Sequence, residues 1–194
     1  MCKHLSNLIL YFFFGTIALV VLFKFVPVPF TPLMLIRQVE ARSEGRRLEI
    51  QHEWVPIEKI SPELIAAVID EEDARFYEHS GFDWHAIRCA YQRNQRAGKI
   101  VRGGSTISQQ TAKNIFCTPS RTYVRKAFEA YFTILIEFIW GKERIIEVYL
   151  NSIEMGDGVF GAEAAAKHYF STSAANLNRP NANYLAARLP NPRR

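Results

Sequence analysis

Ser61-Pro62-Glu63-Leu64-Ile65-Ala66-Ala67-Val68-Ile69-Asp70-Glu71-Glu72, running on into Asp73-Ala74-Arg75-Phe76-Tyr77-Glu78-His79-Ser80-Gly81, decides how the chain is read. Serine followed by proline is a helix N-cap with proline in the first turn, where its missing N–H costs nothing. Leu64, Val68 and Phe76 recur at helical spacing, which predicts a helix over 62–76 with one apolar stripe. Glu72 falls on that stripe. A carboxylate on a buried face is costly unless paired, and desolvation pushes its pKa towards the range useful for proton transfer. Glu72 is therefore a candidate catalytic acid or base.

Outward from this segment the text stays helical. Helices are expected over 84–97, 106–116, 121–140, 142–152, 162–170 and 181–188, punctuated by Gly81, Gly98, Gly103-Gly104, Pro119, Gly141 and the glycines between 156 and 161. Strand-like alternation is confined to a weak stretch at Leu48–Val55. Residues 61–194 should form one mainly α domain. The end of helix 121–140, Tyr131 to Trp140, is apolar on almost every face. That predicts a fully buried core helix, with partial insertion into a bilayer surface as the alternative.

Upstream, residues 27–60 read as a linker and strap, opened by the helix-breaking Pro27, Pro29 and Pro32. Residues 1–26 read as a cytoplasmic tip and a transmembrane anchor. Leu8 to Phe23 is uncharged, and at about 1.5 Å per residue it nearly spans a hydrocarbon core of roughly 30 Å, with Lys24 able to snorkel. A cleavable signal peptide competes, but Val26-Pro27-Val28-Pro29 follows where an A-x-A-like site would stand. Lys3 precedes the span while Lys24, Arg37 and Arg42 follow it, so charge counting does not place the domain outside.

The net charge of +5 in 194 residues suits either anionic headgroups or a polyanionic substrate. No recognised nucleic-acid motif accompanies it. The three cysteines lack metal-ligand spacing, a Cys89–Cys117 disulfide stays open, and the five histidines are scattered, so no protein-built metal site is expected.

Two more stretches carry chemistry. Gly103-Gly104-Ser105-Thr106-Ile107-Ser108-Gln109-Gln110 leads glycines into a hydroxyl-rich helix start, a place where free N–H groups can hold an anion, with Lys113 two turns on. Simple capping by Ser105, with Gln109 and Gln110 solvated, explains it equally. Arg121, Arg125 and Glu129 recur every four residues on one helix face, as either a surface ion pair or a phosphate site beside a second carboxylate. Ile145, Val148, Tyr149 and Ser152 mark a packed face, read as scaffold.

Taken together, E-D-x-x-F-x-x-H-x-G from Glu72, G-x-S-T-I-S-Q-Q-x-x-K-N from Gly103, R-K-x-x-E from Arg125, R-I-I-E-x-Y-L-N from Arg144 and the Gly158–Phe170 segment resemble the peptidoglycan glycosyltransferases of glycosyltransferase family 51. The likeness covers about residues 54 to 192. It implies a lysozyme-like helical fold and the polymerisation of lipid II into β-1,4 glycan, without transpeptidase activity. By that resemblance Glu72 is the general base and Glu129 the second acidic residue. Lys113, Arg121 and Arg125 line the donor's pyrophosphate, and Ser105, Thr106, Gln109 and Gln110 shape the cleft. Asp73, Phe76 and His79 position Glu72 and its loop.

The resemblance also implies no required cofactor, with Mg or Mn the divalent ions to consider. It implies partners in lipid II, the growing lipid-linked strand, membrane lipid and other cell-wall synthesis or division proteins. It places the chain in the bacterial inner membrane with its domain on the outer face. Asp70-Glu71 departs from the family's small or neutral residues and crowds charge beside Glu72. A glycan-cleaving enzyme of similar fold would need no pyrophosphate site, and a silent membrane scaffold would need neither Glu72 nor Glu129.

Overall fold

The computed structural model describes residues 2–99, 103–120 and 122–193, so Arg121 lies outside the described residues. Nine α-helices appear among them: α1 Cys2–Phe25, α2 Pro32–Ser43, α3 Pro62–Glu72, α4 Trp84–Ala97, α5 Ile107–Phe116, α6 Tyr123–Ile139, α7 Lys142–Ser152, α8 Ala162–Phe170 and α9 Arg179–Arg188. Three short strands join them, β1 Gln51–His52, β2 Glu154–Gly156 and β3 Val159–Phe160. Strand β3 lies in the middle, parallel to β1 and antiparallel to β2. The β2–β3 turn is Asp157-Gly158, with Gly158 at φ +74°, the conformation for which such hairpins use glycine. Only β1 falls within the stretch that alternation flagged; β2 and β3 are too short and too fully buried to alternate.

The interior is built around α5, packed against α6 on one side and α7 on the other, while α3 lies along α9. Helix α5 is buried along most of its length although six of its ten residues are polar. Burial on those terms requires partners for each polar group. Thr111 Oγ1 donates to the Ile107 carbonyl at 2.8 Å, and Ser108 Oγ donates to Glu137. Apolar residues fill the remaining space, with Tyr149, Phe76, Phe160, Leu64 and Ile136 wholly buried.

Three expectations change. Helix α3 ends at Glu72, four residues short, because Asp73 leaves helical geometry at φ −159°, ψ 67°. Phe76 still reaches the core, but from a turn. The strap, read as a linker opened by helix-breaking prolines, contains a helix: Thr31 caps α2, which Arg37 fastens by hydrogen bonds of 2.8 to 3.0 Å to the buried Glu154. Asn151 of α7 ties the strap again, accepting from Val55 N and donating to Val55 O, both at 2.9 Å.

Helix α6 is the third. Glu129, Phe132, Thr133 and Ile136 face the core, but Tyr123, Val124, Ile134 and Phe138 are exposed, so it is not a fully buried helix. Part of its outer side takes α1, where Phe128 and Tyr131 meet Phe12 and Tyr131 OH lies 2.8 Å from Thr16 Oγ1. Within α1, Ser6–Phe25 is long and apolar enough to cross a membrane. Trp140 Nε1 donates to the Val20 carbonyl at 2.7 Å, and Arg144 donates to the carbonyls of Phe23 and Val26 at 2.8 Å.

Candidate active site

Asp73 organises the loop that leaves α3. Its carboxylate accepts from Ile107 N at 3.0 Å, at the start of α5, and from His79 Nε2 at 2.9 Å. His79 Nδ1 accepts from Gly81 N at 3.1 Å, which leaves Nε2 as the proton-bearing nitrogen. Thr106 Oγ1 then donates to the Gly81 carbonyl at 2.7 Å. Gly81 sits at φ +92° with room for no side chain, since a Cβ there would come within 2.8 Å of Thr133.

The helix start that looked open to an external anion is thus held by the chain's own Asp73. Its cap is Thr106, not Ser105, in a capping box with Gln109 at 3.2 Å each way, so Gln109 is buried rather than solvated.

Glu72, the last residue of α3, is half-buried rather than sunk in the apolar stripe. Gln110 Nε2 donates to one of its carboxylate oxygens at 2.7 Å, and the buried Tyr149 hydroxyl donates to Gln110 Oε1 at 3.1 Å. Burial, with Glu72 and Asp73 nearby, holds the Tyr149 phenol well above its ordinary pKa, so it stays a donor. Tyr149 looked like scaffold in the sequence. Its place in a repeating apolar pattern hides a hydroxyl that fixes Gln110, and through it Glu72.

Three cavities follow one another along this face. The first, of about 280 Å³, lies between the end of α3 and helix α4 and includes Glu72, Asp73, Arg75, Cys89, Arg93 and Ser105. The second, of about 480 Å³, has Glu71, Glu72, Ser105, Gln110, Lys113 and Pro190 on its walls. The third, of about 350 Å³, is lined in part by Lys113, Asn114 and Arg125. Glu72 and Ser105 are common to the first and second, and Lys113 to the second and third. A carboxylate and an ammonium group therefore stand at the two junctions of one groove.

Lys113 has no carboxylate within ion-pair distance among the described residues. Burial lowers its pKa, opposed by Glu129 and reinforced by Arg125 and Lys126. Glu129 is buried to 2 % exposure beneath Arg125 and Lys126, each of which pairs with it. It holds cations in place and lies behind the groove wall. Cys89 is exposed and Cys117 buried, both free thiols, which removes the disulfide.

The transglycosylase family model matches residues 40–194. This chain belongs to the transglycosylase family. Its mainly α architecture is that family's lysozyme-like one, behind one N-terminal helix able to span a membrane. Transglycosylases named biosynthetic peptidoglycan transglycosylase resemble it along nearly its whole length. The protein of Caulobacter vibrioides is 53 % identical over 98 % of this chain and 82 % of its own. Those of Pseudomonas fluorescens and Bacteroides thetaiotaomicron are each 52 % identical over 98 % of this chain, covering 79 % and 76 % of their own lengths. As a transglycosylase the chain is a glycosyltransferase, and the site residues read from its motifs fall into two groups. Glu72, Asp73, Ser105, Thr106, Gln110, Lys113 and Arg125 line the groove, Asp73 and Thr106 also bracing its loop, while Phe76, His79, Gln109 and Glu129 lie behind it.

Proposed function

We propose that this transglycosylase polymerises lipid II, lengthening a lipid-linked peptidoglycan strand by β-1,4 bonds and releasing a polyprenyl diphosphate. The observation that carries the reading is the continuity of the groove: Glu72 at one junction, Lys113 at the next, and the cationic third cavity beyond. The acceptor sugar occupies the first cavity with its 4-hydroxyl at Glu72. Glu72 takes that proton as the hydroxyl oxygen attacks the donor's anomeric carbon from the face opposite the diphosphate. The new C–O bond forms, the bond from C1 to the phosphate oxygen breaks, and configuration inverts. Negative charge grows on the leaving diphosphate, where Lys113 and Arg125 already stand, so no reorganisation is needed at that moment.

Gln110 and Tyr149 fix the direction of the Glu72 carboxylate, and Asp73 with His79 fix the loop behind it. The reaction needs no resident cofactor; a Mg or Mn ion taking part would travel on the substrate's diphosphate oxygens, the hard ligands such ions prefer. The same reading places the protein in the bacterial inner membrane, with the exposed apolar side of α6 resting in lipid beside α1 and the groove on the outer side. Partners among wall-synthesis and division proteins accord with it; nucleic acid has no place in it.

The test is polymerisation of lipid II by the purified full chain in detergent micelles. Glu72→Gln keeps the shape and the Gln110 contact but cannot take a proton, and should lower the rate by about 100-fold or more. Unchanged polymer yield from a folded Glu72→Gln protein would overturn the mechanism.

A further inference from the structure

One wall of the third cavity comes from α2. Leu33 and Arg37, both on α2, line it together with Lys113, Asn114, Pro119 and Arg125. The cavity holds two buried donors with no partner among the described residues. Asn114 is 6 % exposed, and its side-chain amide nitrogen is a buried donor without an acceptor among the described residues, as is Arg125 Nε. Donors so buried are normally satisfied, and an unmet one beside the Lys113 ammonium suits an acceptor such as a phosphate oxygen.

The same cavity lies close to α1, the helix able to span a membrane. Phe116, the last residue of α5, meets Phe23 of α1 with ring centroids 6.3 Å apart. Helix α2 starts seven residues after the end of α1, so its first turn lies within roughly 25 Å of the end of that helix. Cations and amide donors sit on the cavity's α5 and α6 sides, while Leu33 and Pro119 add apolar surface. Arg37 cannot swing away, because Glu154 and Glu40 hold its guanidinium.

From these contacts we infer that α2 is a substrate-binding element: it closes the diphosphate cavity and offers Leu33 to the first isoprene units of the departing lipid. The ligand class is a polyprenyl diphosphate, bound by its phosphates on Lys113, Asn114 and Arg125 and by its chain along α2. This rests on the lipid II reading above, and adds to it an element that discriminates lipid-linked from free diphosphate.

Binding of farnesyl diphosphate and of inorganic diphosphate to the full chain in micelles, by calorimetry, separates the two ideas. The parent should prefer farnesyl diphosphate. Leu33→Ser should weaken farnesyl diphosphate about tenfold and leave inorganic diphosphate unchanged, whereas Lys113→Ala should weaken both. Loss of less than twofold in Leu33→Ser, or equal parental affinity for the two probes, overturns the role of α2 while the diphosphate site stands. Parental failure to bind either probe removes both. A second measurement needs no variant. A farnesyl diphosphate analogue with a photoreactive group on its first isoprene unit should label residues 33–37, and labelling confined to other elements would refute the assignment.

Discussion

Lys113 is half-buried, and under the proposed reaction its one ammonium serves both fold and substrate. Burial lowers its pKa from the ordinary lysine value of 10.5. Below the lowered pKa the folded protein bears the full cost of a buried charge. As pH rises from there towards 10.5 the unfolded chain holds more protons than the folded one, so this residue's contribution to stability increases. Diphosphate affinity moves the other way, because the neutral amine no longer attracts the phosphates. Inorganic diphosphate binding should therefore weaken at a pH below that of an ordinary lysine, and Lys113→Arg should move the loss upward, since a guanidinium does not titrate there. An unshifted alkaline limb in Lys113→Arg would show that another group governs binding.

What could be read from single residues follows the same physics. Glu72 and Lys113 were legible because a charge at a place that periodicity or a helix start makes unusual needs a reason. Tyr149 and Asn114 were not, because a hydroxyl or amide inside a buried helix looks like its neighbours until the opposite element is in place. Ser105 lost its expected cap to Thr106 for a related reason. Either residue could start the helix, and only the Gly81 carbonyl and Gln109 decide between them.

At the scale of elements, the boundaries set by glycine and proline held well. The expected spans 84–97, 142–152 and 162–170 coincide with α4, α7 and α8. The end of α3 did not, since the apolar pattern runs on to Phe76 while Asp73 is drawn to Ile107 N across 34 positions of sequence. No local signal encodes that. Helix α2 was hidden by the three prolines around it, although one of them, Pro32, is its first residue. For α6, uniform apolarity does not say which partner covers each side, and α1 covers part of it.

The contacts that seat α1 are open to test. Trp140 Nε1 and the Nε and Nη2 of Arg144 donate to carbonyls of Val20, Phe23 and Val26, while Arg144 Nη1 pairs with Glu147. Each lost hydrogen bond should cost about 1 kcal/mol, more where the donor is charged. The double variant Trp140→Phe, Arg144→Gln should lower the thermal midpoint of the full chain in micelles by several degrees and speed hydrogen exchange in α6 and the start of α7. Unchanged exchange there would mean that α1 is merely tethered.

For the whole molecule, orientation is the open physical question, because the charges flanking the span do not choose a side. The lipid II reading requires the groove outside the cytoplasm. Protease added to intact spheroplasts should therefore degrade residues beyond the span, and full protection would put the domain on the inner side. The family and the mainly α class were legible from five ordered motifs. The groove's third wall was not, since it comes from a strap that carries none of those motifs and becomes visible only once α2 folds back on α5.

The hydrogen bonds from Trp140 and Arg144 to α1 carry one more consequence. A domain on a flexible tether samples many heights and tilts above its bilayer. Here α6 and α7 grip the spanning helix directly, and α7 also bears Tyr149, whose hydroxyl steadies Gln110 and Glu72. The spanning helix works as a gauge. Under the proposed reaction it would set the altitude of the Glu72 carboxylate by rigid parts, so that each added sugar is joined at one fixed level above the membrane.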